Sequence, residues 1–207
     1  ALLPGLSALL VDCVRDGGRA PRADAGPFGG RRSADPRLTS LILIGVNVAV
    51  FLGLGLWVGL ADMMSSSVTL AHRKFALNSV FLDGTAKLIP FSDGTLIITS
   101  GNEWYRLVTS GFLHFGVIHL ALNMYFLFML GNQMEPTLGR AQFLALYFAS
   151  LFGGSAGVLI LDSNGFTAGA SGAIFGLLGA SAVGLWQQGV NPFSTQIGRL
   201  LLLNLAF

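Results

Sequence analysis

The sequence predicts an all-α polytopic membrane protein, and three observations carry that expectation. Of its 207 residues, 53% are hydrophobic and only 11% are charged, whereas soluble domains carry about 25% charged residues. The apolar residues gather into runs of about twenty, the length needed to span a hydrocarbon core. The polar residues that stand out inside those runs are Asn47, His119, Asn123 and Ser171, and polar groups are costly enough in lipid to need a reason. A mean hydropathy of +0.68 excludes an ordinary soluble globule. A nucleic-acid-binding module is also excluded, because the basic residues lack interleaved aromatics and are diluted by Asp12, Asp16, Asp24 and Asp35.

Residues 1–37 predict a cytoplasmic, disordered segment. They hold Arg15, Arg19, Arg22, Arg31, Arg32 and Arg37 among Gly, Pro and Asp, with no periodicity from Cys13 to Pro36. A secretory signal does not fit, since the arginines follow the first apolar residues instead of preceding them. Cys13 is the single cysteine, which excludes an intramolecular disulfide and a thiol-rich metal site.

Residues 38–207 predict the membrane domain. Leu38–Leu60 is the first span, and from Leu41 to Leu60 only Asn47 is strongly polar. Asp62–Arg106 is a long connection, and one of that length is often functional. Its turn signals are Asp83-Gly84 and Asp93-Gly94, and Lys87–Phe91 between them reads as either a short strand or an interfacial loop. Phe115–Met134 is the second span, left through a tight turn over Glu135–Arg140. Ala141–Leu161 is the third span and Gly169–Trp186 the fourth. Gln196–Phe207 starts a fifth, so about four and a half helices are expected. Gly169, Gly172, Gly176, Gly179 and Gly184 fall largely on one helical face, a stripe suited to pressing against another helix. The start at Ala1 and the stop at Phe207, inside an apolar run, both read as cuts in a longer chain.

Orientation follows from the Lys and Arg distribution. With the N-terminus inside and each run crossing once, the inside holds eight basic residues and the outside four: Arg73, Lys74, Lys87 and Arg106. That imbalance favours a cytoplasmic N-terminus. The second and fourth spans then both enter from outside, so His114–Asn123 and the start of the Ser171 helix are expected at the same depth.

The chemistry available there is nucleophilic. Ser171 falls where a helix begins, beside free backbone N–H groups and positive dipole character. His119 and Asn123 are four residues apart and share a helical face. They offer N–H donors for the oxyanion that a serine creates on attacking a carbonyl. The competing reading of this pair is interhelical glue. A serine also needs a base, and no His lies downstream of Ser171. His119 is a candidate base by depth, but that would remove it from the oxyanion role. A three-His metal site is not expected, because His72 lies in the long loop and no carboxylate or Cys sits near His114 and His119.

These residues resemble the rhomboid family of intramembrane serine proteases. Gly169-Ala170-Ser171-Gly172 is similar to its nucleophile motif, and His114, His119 and Asn123 to its second-segment motif. Glu103-Trp104-Tyr105-Arg106 resembles its first-loop signature, and Glu135 with Gly139 its turn after the second segment. The resemblance runs from Glu103 to Trp186. It implies a rhomboid-like helical bundle with a six-helix core, in which Ser171 is the nucleophile. His119, Asn123 and the Ser171 N–H would form the oxyanion hole. A His on the sixth helix, beyond Phe207, would be the base of a Ser–His dyad. His114, Glu103, Trp104, Arg106, Glu135, Gly139, Gly169 and Gly172 would be structural, and Phe175 would pack on the catalytic His.

The implied activity is cleavage of transmembrane segments of single-pass proteins near the outer membrane face, in a bacterial plasma membrane. No cofactor, metal or nucleic acid is implied. Residues near Val11-Asp12-Cys13 resemble the remnant of a Cys-rich zinc module, but one Cys assigns no zinc. Residues 1–207 alone are expected to be inactive for want of the sixth-helix His. The alternative is a non-proteolytic rhomboid-like protein that binds transmembrane clients, against which Ser171, His119 and Asn123 together argue. A third reading, part of a transporter, lacks the paired broken segments of transporter repeats. The topology is open to a direct check: a membrane-impermeant thiol reagent applied to intact cells should miss Cys13, and strong labelling would invert it.

Overall fold

A computed structural model describes residues 37–161 and 165–205. The expectations for residues 1–36, for the 162–164 stretch and for the last two residues lie outside them. Leu38–Val58 forms α1, because a chain in lipid must satisfy its backbone groups within itself. The buried stripe of α1 is Ser40, Leu43, Asn47, Phe51 and Gly55, at spacings of three and four residues. Its exposed side carries Ile42, Val46, Leu52 and Leu56. The buried face is thus the more polar one, as expected where lipid and not water surrounds the bundle.

The connection that follows is structured throughout. Leu60–Met64 (α2) and Leu70–Phe75 (α3) are short helices, and Ser79–Phe81 is a 3₁₀ turn. Lys87–Pro90 (β1) pairs antiparallel with Leu96–Thr99 (β2), with Lys87 opposite Thr99. The strand reading of Lys87–Phe91 therefore holds; its partner strand was not legible. The Asp93-Gly94 turn joins them, with Gly94 at φ 81° and the Asp93 carboxylate accepting the Thr95 N–H. Arg106–Thr109 (α4) and a 3₁₀ turn at Ser110–Phe112 then lead into the second long helix.

Gly116–Leu138 (α5) runs four residues past its expected end and includes Pro136. The turn expected over Glu135–Arg140 shrinks to Gly139, whose φ of 77° favours glycine. Helix persists there because Glu135 is anchored: its carboxylate accepts the N–H groups of Thr39 at 2.8 Å and Ser40 at 2.9 Å. First-turn N–H groups have no partner within their own helix, and a carboxylate also suits the positive end of the dipole. Gly131 of α5 sits against Ser40, so the two helices approach closely where they are tied.

Arg140–Leu161 (α6) and Ser171–Gln187 (α7) form the most extensive helix pair. A Cβ on Gly154 would lie 2.8 Å from the Gly172 Cα, and one on Gly176 would collide with Ser150. The glycine stripe thus presses on α6, but only over its first two turns. Gly179 and Gly184 face open space, so the stripe meets another helix as expected but through only part of its length. Small residues permit close approach only where the partner helix is also small, and α6 changes from Gly154 and Ser150 to the bulky, buried Tyr147 and Phe143. Gln196–Leu205 (α8) packs on α7 through the buried Ile197 and Leu200. By length and composition α1, α5 and α6 can each cross a membrane, while α7 is shorter at 17 residues.

Replacing Glu135 with Ala leaves one buried and one partly buried N–H group without their acceptor. The expected loss is about 2 kcal/mol, read as a lower unfolding midpoint in detergent, with Glu135→Gln losing less.

Candidate active site

Arg106 builds the loop that carries the site. Its guanidinium is 1% exposed, pairs with Glu103 at 2.6 Å, and donates to the carbonyls of Arg73 and Ala76 at 3.0 and 2.8 Å. It also stacks 3.7 Å over the Phe81 ring. One planar fork thereby joins α3, the 3₁₀ turn and the approach to α4. Burial acts to raise the Glu103 carboxyl, but the bonds from Arg106 and its neighbours outweigh it and hold it below the usual carboxylate range. Trp104 stands outside this arrangement, 55% exposed beside Tyr105.

The loop in turn holds the segment before Ser171. Leu77 and Thr167 exchange both backbone hydrogen bonds, at 2.9 and 2.8 Å. Asn78 donates to the Gly165 carbonyl, and the Gly169 N–H donates to Ser110 O at 2.8 Å. Gly169 then takes φ +129° and α7 opens at Ser171.

His119 lies directly over Gly169. A Cβ there would meet the His119 Cε1 at 2.8 Å and Nε2 at 2.9 Å, with Ser171 Oγ 3.6 Å away. Glycine is thus required twice, by conformation and by space. The imidazole and the hydroxyl therefore flank one point, as expected from their shared depth. The Phe115 N–H donates to His119 Nδ1 at 3.2 Å. A ring nitrogen that accepts a proton donor carries no proton itself, so the neutral ring bears its proton on Nε2, the atom beside Gly169. Asn123 spends one N–H on the His119 carbonyl, 2.9 Å away, and has a second to offer. A cavity of about 300 Å³ is lined by His119, Leu122, Asn123, Phe126, Ser171, Phe175 and Asn204. A second, of about 450 Å³, reaches Ser171 and Phe175 from the α6 side, past Gly154 and Gly172.

Of the expected residues, Ser171, His119, Asn123 and Gly169 converge, while Gly172 forms the α6 contact. His114 is fully buried, edge-on to the His119 ring at 5.2 Å between centroids. Glu103, Trp104 and Arg106 belong to the loop, and Glu135 and Gly139 lie at the far end of α5. Two residues were missed. Asn204 was signalled by its place as a polar residue in an apolar run, but which way it faces depends on how α8 packs. His72 was set aside as a loop residue, yet it is 0% exposed beneath the site; the capping pattern Thr69-x-x-His72 was its only sequence signal.

Fold and site together define a polytopic helical membrane protein with a serine at a helix start, facing a His–Asn pair. A Rhomboid domain family model matches residues 101–207, more than half of the chain, and the chain belongs to the rhomboid family. It is 46% identical over 83 residues to RHOMBOID-like protein 4 of Arabidopsis thaliana, covering 40% of this chain and 21% of that protein. It is 39% identical over 83 residues to RHOMBOID-like protein 6, mitochondrial, of the same plant, covering 40% and 27%. Against the rhomboid protease GluP of Bacillus subtilis it is 34% identical over 126 residues, covering 59% and 25%. The chain thus spans about a quarter of the length of these relatives. No solved structure matches. Family membership and the three long apolar helices make this an integral membrane protein.

Gly169→Ala should destabilise the protein by about 1–3 kcal/mol through its backbone conformation alone, and should displace His119 as well. Thermal unfolding of the purified variant checks this; an unchanged midpoint would contradict the Gly169–His119 contact.

Proposed function

We propose that this chain is the membrane core of an intramembrane serine endopeptidase with Ser171 as its nucleophile. The observation that carries the reading is the His119 ring over Gly169, with Nε2 and the Ser171 hydroxyl both bordering the space above that glycine. Ser171 Oγ attacks the scissile carbonyl carbon, and its proton passes to a general base. Negative charge then develops on the carbonyl oxygen. The His119 Nε2–H, the free Asn123 N–H and the Ser171 backbone N–H are the donors for it, at the positive end of α7. Collapse of the intermediate returns the proton to the leaving amine, and water later releases the acyl group from Ser171.

His119 is ill-suited to be the base, because its only unprotonated nitrogen already accepts the Phe115 N–H. The base is a His on a sixth helix following Phe207 in the whole protein, as the resemblance implies, with Phe175 as its packing partner. Substrates are single-pass membrane proteins whose small residues loosen the helix near the outer face. In the same reading residues 38–207 form the membrane domain, residues 1–37 lie in the cytoplasm, and the protein resides in a bacterial plasma membrane.

The test is cleavage of a single-pass substrate by the whole protein in proteoliposomes. Ser171→Ala should lower kcat by at least about a thousandfold with an unchanged unfolding midpoint, since only a hydroxyl is removed. His119→Ala should lower it by about 10²–10³. Undiminished cleavage by the Ser171 variant would end the protease reading.

A further inference from the structure

We propose that His72 is a positioning residue for His119, acting through the single peptide group that joins His114 to Phe115. The inference rests on His119 being the oxyanion donor argued above. His72 is fully buried and lies 42 residues before His114 in the chain. Both of its ring nitrogens are engaged. Nδ1 accepts the Thr69 N–H at 3.2 Å, completing a capping box in which His replaces the usual Glu or Gln. That leaves the proton on Nε2, which donates to the His114 carbonyl at 3.0 Å.

The same peptide group presents its other end to the site. The carbonyl of His114 and the N–H of Phe115 belong to one rigid plane, and that N–H donates to His119 Nδ1. The result is a series of two hydrogen bonds through one peptide group, His72 Nε2–H to a carbonyl and its paired N–H to His119 Nδ1, ending with His119 Nε2 over Gly169, two residues before Ser171. A donor at one end of a peptide group polarises it and strengthens its N–H as a donor. The rings support the same alignment. His72 stacks on Phe115 at 4.4 Å and 13°, and Phe115 lies within 6° of parallel to His119 at 6.2 Å. The His114 carbonyl also accepts the Gly116 N–H at 3.1 Å, a local bond from two residues along the chain, whereas His72 ties the same carbonyl to a distant part of the fold.

The chemical consequence concerns the tautomer. If the 114–115 peptide rotated, its carbonyl would face His119 and draw the proton to Nδ1, removing the donor from the side that faces Ser171. His72 therefore keeps His119 in its productive tautomer from the opposite side of the loop.

Two variants separate the roles of His72. His72→Phe keeps a ring on Phe115 and removes the donor, while His72→Gln keeps an N–H donor and removes the ring. In the whole protein, His72→Phe should lower kcat by about ten- to a hundredfold with KM within about twofold, and His72→Gln should recover most of the loss. Nitrogen-15 NMR of His119 should report Nε2–H in the wild type and in His72→Gln, with Nδ1–H appearing in His72→Phe. An undiminished kcat in His72→Phe would overturn the proposal, as would an equal loss of kcat and unfolding midpoint in both variants. A wild-type His119 protonated on Nδ1 would overturn it without any variant. The NMR reading needs no turnover, so it judges His72 even if the whole protein proves not to cleave substrates.

Discussion

The buried guanidinium of Arg106 is the interaction on which the site depends. A charge removed from solvent is stable only when its donors are matched, and here Glu103, two carbonyls of the α3 end and the Phe81 face do the matching. That fork turns a 40-residue-scale connection into a rigid body resting on the bundle. The Leu77–Thr167 bridge and the Gly169–Ser110 hydrogen bond then extend its rigidity to the first turn of α7. A serine carried by an unpaired loop would be poorly placed, whereas the segment leading to this one is braced by backbone bonds at Thr167 and Gly169. Preorganisation of that kind matters because a small misplacement of reacting groups is expensive in rate.

Helix packing follows a different rule from that of the loop. Lipid gives apolar side chains no reason to leave it, so the bundle is held by close backbone approach and by polar pairs. Gly154 against Gly172, Gly176 against Ser150, Gly131 against Ser40 and Glu135 against the α1 amides supply both kinds of contact. One of these, Gly154 against Gly172 between α6 and α7, lies beside Ser171. The residues that allow α7 to pack therefore also fix where its first turn stands.

The histidines divide by the hydrogen bonds of their Nδ1 atoms. His72 and His119 each accept a backbone N–H at Nδ1 and so present Nε2–H, one toward a carbonyl and one toward the site. Neither has an unprotonated ring nitrogen left for the Ser171 proton, so in the proposed reaction the base is a separate requirement.

The sequence by itself determined the class, the helices and the site pairing. Runs of twenty apolar residues leave a lipid-embedded chain no option but helix. The fixed geometry of a helix put His119 and Asn123 on one face, and the alternation of spans brought them to the depth of Ser171. Local rules also placed the Asp93-Gly94 turn. Only the tertiary structure decided the rest, because it depends on partners distant in sequence. Pro136 stays helical because Glu135 reaches α1, and the glycine stripe divides because α6 changes size along its length. Lys87–Pro90 finds a second strand, and Asn204 turns toward the cavity once α8 packs. His72 offered nothing beyond a capping pattern, and its meaning arises only when folding brings it 42 residues along the chain to the His114 carbonyl. Periodicity reports what each element does with its solvent; it carries no record of which carbonyl a folded side chain will meet.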